Sequence, residues 1–182
     1  TKQETAQAAL TEEATRRAAD FLLLVPNGIA AMSMDIPGLV QTSCNLGIFA
    51  VADGVLTAVS SVRSSVASQK QMLLDRFDAL ANRLGGKLTV TGAYPAWEYR
   101  RESVLRDKMA EIYKQQTGKD AKIEAIHAGL ECGLFAGALD GLDCVSFGPD
   151  LVDIHTTREK MLVPSVQRTW RFLLAVLAAL DK

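Results

Sequence analysis

The chain has 182 residues, of which 48% are hydrophobic and 23% are charged. This composition excludes a disordered tail, a collagen-like rod and a coiled coil, and the length suffices for one domain or two small domains with a buried core. The 20 basic and 21 acidic residues leave a net charge of -1, and such a balance gives no indication of nucleic-acid binding.

Apolar runs are too short for a membrane span, which needs about 20 residues. Phe21–Val25 is far shorter than that, and the apolar stretch 170–180 is also too short and is interrupted by Arg171. Because no basic segment followed by an apolar one opens the given sequence, we expect no secretion signal. The three cysteines are an odd number without a close pair, which argues against a disulfide framework. We therefore expect a soluble cytoplasmic protein, and the start at Thr1 within a helical pattern suggests a piece of a longer one.

The first half of the chain predicts two helices and three strands: a helix at 3–24, strands at 42–51, 55–62 and 87–92, and a helix from 64 or 65 to 84. Asp53-Gly54 lies between two apolar runs and predicts a hairpin, because both turn residues must tolerate a positive φ. Gly85-Gly86 ends the second helix. Residues 30–40 indicate a loop or an irregular edge. The order resembles a ferredoxin-like βαββαβ unit without its first strand.

The second half alternates between helices and strands: helices at 103–116, 131–139 and from near Pro164 to Leu180, with strands at 122–127 and 144–147. Ser103 is a suitable N-cap, and Gly118 a suitable end, for the first of these helices. Such alternation predicts parallel strands covered by helices. The fold class is therefore α/β, with an α+β first domain at 1–92 and a second domain at 93–182.

Only two histidines are available as metal ligands or bases, His127 and His155. Zinc sites use three or four protein ligands at recognisable spacings, and two histidines 28 positions apart do not form one. For His127 the ordinary interpretation is a histidine at a strand end, bonded to backbone. His155 lies in a polar loop after a strand, where ligands of open α/β sheets bind. A functional role and a solvated loop residue are both open for His155.

Three further features have both an ordinary and a functional interpretation. The segment Gly129–Gly133 turns from a strand into a helix, where free N–H groups could bind an anion or glycine could allow close packing of the helix on the strand. Arg63 could bind a carboxylate through two hydrogen bonds, although an exposed edge arginine is the ordinary case. Asn45 lies in an apolar strand, as part of a bulge or facing a ligand. Cys132 and Cys144 are expected to be buried, unreactive thiols.

Four strings carry a resemblance to a known family: Gly92–Trp97, Ile126–Phe135, Val145–Pro149 and His155–Glu159. Their order and spacing resemble the C-terminal part of the aminoacyl-histidine (Xaa-His) dipeptidases, or cytosolic non-specific dipeptidases, which are di-zinc exopeptidases. The string His-Ala-Gly-Leu-Glu-Cys-Gly within the second is quite specific. Pro26-Asn27-Gly28 and 42–47 resemble the lid domain of these enzymes. The chain departs from the family pattern at Cys44, Thr156 and Thr157.

The resemblance implies roles for individual residues. His155 matches the last metal ligand, of a pair of Zn²⁺ ions for which Co²⁺ or Mn²⁺ could substitute. Arg63 matches a lid arginine that holds the substrate carboxylate, Gly129 and Leu130 match the turn that lines its pocket, and Asn45 matches the lid asparagine. No catalytic residue is assigned, because the general base and the other ligands belong to an N-terminal half that the resemblance places outside this chain.

The resemblance therefore implies the C-terminal portion of a metal-dependent dipeptidase that hydrolyses Xaa-His and related dipeptides through a zinc-activated water. Its fold would be a partial ferredoxin-like lid followed by the C-terminal αβαβα part of a catalytic domain. The expected partners are a dipeptide, the missing N-terminal half and a second copy of the chain, and the chain alone is expected to be inactive. The alternative is a non-catalytic ferredoxin-like association module fused to a small α/β unit.

Overall fold

A computed structural model describes residues 9–127 and 129–180 of the chain. These residues divide into two units. The first runs to Glu98 and also includes Ile126–Gly129, and the second comprises Tyr99–Ala125 and the chain from Leu130 onward. The domain boundary at residue 92 stays a prediction. Two compact units exist, but compactness does not show where an independently folding domain would end.

The first unit opens with helix α1, Glu12–Leu24. Its start is set by Thr11, whose Oγ1 atom accepts a hydrogen bond from the N–H of Ala14 at 3.2 Å. Two glutamates in the first turn also interact favourably with the positive end of the helix dipole. Residues 9–11 therefore precede the helix, and the predicted start at residue 3 lies outside the described residues.

Three antiparallel strands follow in the order β1-β2-β3: β1 is Gly28–Met32, β2 is Val40–Ala52 and β3 is Val55–Ser64. The predicted hairpin is confirmed, since Asp53 and Gly54 connect β2 to β3 with φ values of 51° and 74°. The register between β1 and β2 is irregular at two places. Residues 30–32 thus belong to an irregular edge strand, which is one of the two structures that the sequence left open.

Helix α2, Ala67–Arg83, covers one face of this sheet. Leu73 is fully buried and packs with Phe77 of the same helix against Cys44 of β2. Val62 of β3, the cross-strand partner of Cys44, also packs against this cluster. The helix was predicted from its apolar spacing and is confirmed. Its packing shows which face of the β2-β3 hairpin is the inner one.

The second unit contains helices α3, α4 and α5 and a hairpin of two short strands, with these bounds: α3 Val104–Thr117, α4 Glu131–Ala138, β4 Leu151–Val152, β5 Lys160–Met161 and α5 Val163–Leu180. Met109 and Ile112 of α3 pack against Val176 of α5. Ser103 caps α3 through the N–H of Arg106 at 3.0 Å. Gly118 ends it with φ of 72°. All three predicted helices of this half are confirmed.

Three of the predicted strands do not form. Residues 87–92, 122–127 and 144–147 lie outside every strand, and both sheets in the described ranges are antiparallel, not parallel. Apolar β-branched runs favour extended backbone, but a strand exists only where a second strand satisfies its N–H and C=O groups. The structure nevertheless combines helices with small sheets, which confirms the mixed α/β class.

Candidate functional site

The outer face of the β2-β3 hairpin carries a row of polar side chains. Ser43 pairs with Arg63 across the two strands, and Asn45 pairs with Ser61. Because side chains alternate between the faces of a sheet, and Cys44 points toward α2, these four residues lie on the opposite face. We call them the polar face. Two candidates predicted from the sequence, Arg63 and Asn45, are thereby brought to the same side of the sheet.

Asn45 is exposed and lies next to an irregularity of the sheet. The register shifts between Leu46 and Ile48, so that Gly47 is the extra residue of a bulge. A Cβ atom on Gly47 would lie 3.7 Å from the Nδ2 atom of Asn45. The bulge that the sequence allowed is therefore present beside Asn45, which itself keeps its regular pairing. Its role as a substrate-binding residue stays a prediction.

His127 bridges the polar face from a distant part of the chain. Its Nε2 atom lies 2.7 Å from the Oγ atom of Ser43, and its backbone oxygen accepts a hydrogen bond of 3.5 Å from Nη1 of Arg63. The prediction that the imidazole of His127 bonds to backbone is therefore wrong. The ring bonds to a serine side chain instead, at a separation of 84 residues that no local pattern encodes.

The electrostatic environment of His127 favours its neutral form. Partial burial, followed by the positive charge of Arg63, lowers the pKa of His127 below 6.5. A neutral imidazole has one donor and one acceptor nitrogen. Its Nε2 atom therefore pairs with the Ser43 hydroxyl without placing a second positive charge beside the guanidinium.

Gly129 lies against an aromatic ring in the same unit. A Cβ atom at this position would lie 3.0 Å from both Cδ1 and Cε1 of Tyr94. The backbone oxygen of Tyr94 in turn accepts a hydrogen bond from Nζ of Lys70 in α2. Gly129 thus packs closely against the Tyr94 ring, and its place in a carboxylate pocket stays a prediction. No sequence pattern pointed to Ser43, Tyr94 or Lys70.

Leu130 occupies the N-cap position of α4. Its backbone is extended, with φ of -128° and ψ of 156°, and its carbonyl accepts a hydrogen bond of 2.9 Å from the N–H of Gly133. An apolar side chain at an N-cap cannot accept hydrogen bonds from the first N–H groups of the helix. Helix α4 thus begins as predicted, and the role of Leu130 toward a substrate stays a prediction.

His155 lies in the loop of the β4-β5 hairpin in the second unit. It is exposed, and its φ of 65° is in the left-handed region, as is that of Asp153 at 52°. The loop is held by internal bonds, in which the N–H of His155 donates to Oε2 of Glu159 at 2.8 Å and Thr156 Oγ1 donates to the oxygen of Asp153 at 2.7 Å. The polar loop was predicted, whereas its place within a hairpin was not.

The described ranges hold no group of three His, Cys, Asp or Glu residues that could bind a metal ion. His155 supplies one imidazole, while zinc takes at least three protein ligands. The residues present therefore do not form a zinc site by themselves, and no chemical step through zinc follows from them. None of the helices in the described ranges could span a membrane.

Two of the three cysteine thiols have a raised pKa. Burial raises the pKa of the Cys44 thiol. Burial, followed by the neighbouring Cys132 thiol, raises the pKa of Cys144. Because the thiolate is the nucleophilic form, these shifts disfavour reactivity of Cys44 and Cys144 at neutral pH. The prediction that Cys132 and Cys144 are buried is wrong, since both are only partly buried.

Comparison with known sequences gives a relative but no family model that matches. The chain is 33% identical over 157 residues to the cytosol non-specific dipeptidase of Escherichia coli (strain K12). The aligned part makes up 86% of this chain and 32% of that relative. The chain therefore spans about a third of the length of the curated relative that it matches.

Two solved structures have the same fold. The aminoacylhistidine dipeptidase from Vibrio alginolyticus superimposes with a TM-score of 0.87 at 31% identity, which covers 98% of this chain and 37% of that one. Aminopeptidase PepT from Bacillus cereus ATCC 10987 has a TM-score of 0.71 at 20% identity, covering 93% of this chain and 46% of that one. At 20% identity the second likeness concerns the fold alone.

These similarities show that the chain is homologous to part of a peptidase, which is a hydrolase. The two relatives above 30% identity are, more narrowly, the cytosol non-specific dipeptidase and the aminoacylhistidine dipeptidase. The resemblance to the aminoacyl-histidine dipeptidases, first seen in the string around His127, is thereby confirmed.

Proposed function

We propose that this chain forms the part of a cytoplasmic dipeptidase that binds the C-terminal carboxylate of the dipeptide and contributes His155 to a pair of zinc ions. One observation carries the first half of this proposal. Arg63, on the polar face, contacts the backbone of His127, two residues before the turn at Gly129. Arg63 therefore contacts the segment that leads to Gly129, the glycine that the resemblance assigns to the carboxylate pocket.

Arg63 is suited to an incoming carboxylate. Its side chain is exposed, and none of the ion pairs among the described residues involves it. The hydrogen bond to the oxygen of His127 is long, at 3.5 Å, and uses only one of the five guanidinium N–H groups. The remaining groups match the geometry of a carboxylate, to which arginine binds through two parallel hydrogen bonds.

The hydrolytic step itself is not assigned to residues of this chain. The resemblance places the other metal ligands and the catalytic glutamate in a preceding N-terminal half, and the described residues supply His155 alone. Zn²⁺ is the proposed ion, with Co²⁺ or Mn²⁺ as substitutes. We therefore expect the chain by itself to hydrolyse no dipeptide, and a longer protein that adds that half to do so.

Unpaired apolar segments support the need for a further chain segment. Residues 122–127 and 144–147 lie outside strands, and their side chains Ile123, Ile126 and Phe147 are exposed. Exposed apolar surface of this kind marks an interface or a site of self-association. In the proposed enzyme the N-terminal half supplies the neighbouring strands. Without it, we expect the chain to associate with a second copy.

A ligand titration tests the carboxylate site directly. The ¹⁵N-labelled chain is titrated with beta-alanyl-histidine and with the same dipeptide as its C-terminal amide, while the Arg63 and His127 side-chain signals are followed. We expect the free carboxylate to shift both signals and the amide to shift neither. Arg63→Gln removes the effect, whereas Arg83→Gln, an exposed arginine at the end of α2, keeps it. Equal responses to acid and amide would refute the assignment.

A second experiment tests dipeptide hydrolysis. The chain is assayed with Zn²⁺ alone and after co-expression with the N-terminal two thirds of a related dipeptidase. Zinc-dependent hydrolysis only in the combined sample supports the proposal. No turnover in either sample, with a monodisperse and folded complex, favours the alternative of a non-catalytic association module.

A further inference from the structure

The contact between Tyr94 and Gly129 is unusually close. A Cβ atom on Gly129 would lie 3.0 Å from two ring carbons of Tyr94 and 3.5 Å from a third. At the other glycines whose surroundings are described, the nearest such atom is 3.5 Å away or farther. Carbon atoms pack best at about 3.5 to 4.0 Å, so even one methyl group at residue 129 would force the ring or the turn to move.

Tyr94 is itself held in place by the core of the first unit. Its backbone oxygen accepts a hydrogen bond from Lys70, which lies one turn before the fully buried Leu73 of α2. Leu73 packs on Cys44, the neighbour of Ser43 in β2. The ring is thus tied through α2 to the same strand that carries the serine partner of His127.

The turn joins these contacts to the polar face. Gly129 follows His127 by two residues, so that the two lie at most about 7 Å apart along the chain. His127 contacts Ser43 through its ring and Arg63 through its backbone oxygen. A displaced turn would therefore change the neighbour that Arg63 contacts.

We propose that Tyr94 is a positioning residue whose ring, seated on Gly129, fixes His127 between Ser43 and Arg63. Its functional meaning rests on the proposed carboxylate site at Arg63, whereas its structural content does not. The ring supplies the contact, since the atoms closest to the Gly129 position are ring carbons. Tyr94→Ala is therefore expected to release the arrangement.

A double-mutant cycle on the full 182-residue chain tests this proposal. The variants are Gly129→Ala, Tyr94→Ala and both together. Gly148→Ala is the matched control, because Gly148 has no atom within 4 Å of its Cβ position and no left-handed φ. The first readout is the imidazole signal of His127, which is readily assigned because the chain has only two histidines. The second is the dissociation constant for beta-alanyl-histidine.

We expect Gly129→Ala to shift the His127 signal and to weaken dipeptide binding by about tenfold, the equivalent of about 1.4 kcal/mol. Gly148→Ala should behave as the wild type. In the Tyr94→Ala background, Gly129→Ala should have no further effect, because the ring that it displaces is gone.

Equal effects of Gly129→Ala in both backgrounds, or an unchanged His127 signal in Tyr94→Ala, would overturn the proposal. Thermal unfolding checks that each variant is folded, and Tyr94→Leu replaces Tyr94→Ala in the cycle if the latter does not fold. If the wild-type chain binds no dipeptide, the proposed function fails, while the histidine signal still decides whether Tyr94 positions the turn.

Discussion

The Oγ atom of Ser43 and the Nε2 atom of His127 lie 2.7 Å apart, although 84 positions separate the two residues in the chain. This bond joins strand β2 to a segment that follows α3 and precedes α4 in the sequence. Its neighbour Arg63 pairs with Ser43 across the sheet and contacts the backbone of the same histidine. Three residues from three parts of the chain thus form one polar cluster within the first unit.

Removal of the Ser43 hydroxyl should weaken this cluster. We expect Ser43→Ala to lower the free energy of unfolding by about 1 kcal/mol, the net value of one partly buried hydrogen bond. Ser61→Ala is the control, since Ser61 is exposed on the same polar face, and it should change stability by less than about 0.5 kcal/mol. Urea unfolding measures both. Equal losses for the two variants would mean that the bond contributes nothing.

The lowered pKa of His127 predicts a dependence of stability on pH. The folded chain binds a proton at His127 less readily than the unfolded chain, whose pKa is near 6.5. The unfolded state therefore takes up more protons as the pH falls through 6.5, and the free energy of unfolding decreases over that window. Urea unfolding at about pH 7.5 and about pH 5.5 measures this decrease.

His127→Gln should reduce the difference between these two pH values, because the titrating group is absent. Arg63→Gln should raise the pKa of His127 toward its ordinary value, since it removes one of the two causes of the shift. A histidine titration followed by NMR gives this pKa directly. An unchanged pKa in Arg63→Gln would show that burial alone sets it.

Asp143 should stabilise the second unit through the start of α3. Partial burial alone would raise the pKa of Asp143, but hydrogen bonds from Ser103 and the N–H of Leu105, with the charges of Arg100 and Arg106, hold it below the ordinary value. The carboxylate is therefore a bound, charged acceptor. Its contribution is present above pH 3.8, the ordinary pKa, and is lost as the pH falls through the lowered folded value.

We expect Asp143→Ala and Ser103→Ala each to cost about 1 kcal/mol, the usual loss on removal of an N-cap partner. Asp140→Ala, an exposed aspartate nearby in the chain, serves as the control and should leave stability almost unchanged. Chemical unfolding at neutral pH gives these values. If Asp140→Ala cost as much as Asp143→Ala, general charge effects would explain the result better than capping.

His155 is the residue on which the proposed metal site can be tested. In an enzyme that combines this chain with the N-terminal half, His155→Ala should lower zinc content and reduce dipeptide turnover by orders of magnitude, because it removes one ligand. The fold should remain, since the side chain is exposed. His127→Ala is the matched control and should affect metal content less. Full zinc occupancy with normal turnover in His155→Ala would refute the assignment.

The sequence by itself determined the local elements whose signals lie within a few residues. The Asp53-Gly54 turn, the Ser103 cap and the glycine end of α3 were readable because each depends on φ or on a hydrogen bond to a near neighbour. Strings such as the one that contains His127 also carried the resemblance to the dipeptidases, which the comparisons confirm.

Only the tertiary structure decided which of those elements pair and which side chains meet. The apolar segments at 87–92, 122–127 and 144–147 have the composition of strands but lie outside every strand of the described chain, because pairing depends on a partner and not on the segment. Likewise, the sequence around His127 does not indicate its contact with Ser43, and the sequence around Gly129 does not indicate its contact with Tyr94. Contacts between residues far apart in sequence are set by how the sheet, the helix and the returning segment pack, and no periodicity within any one of them encodes that arrangement.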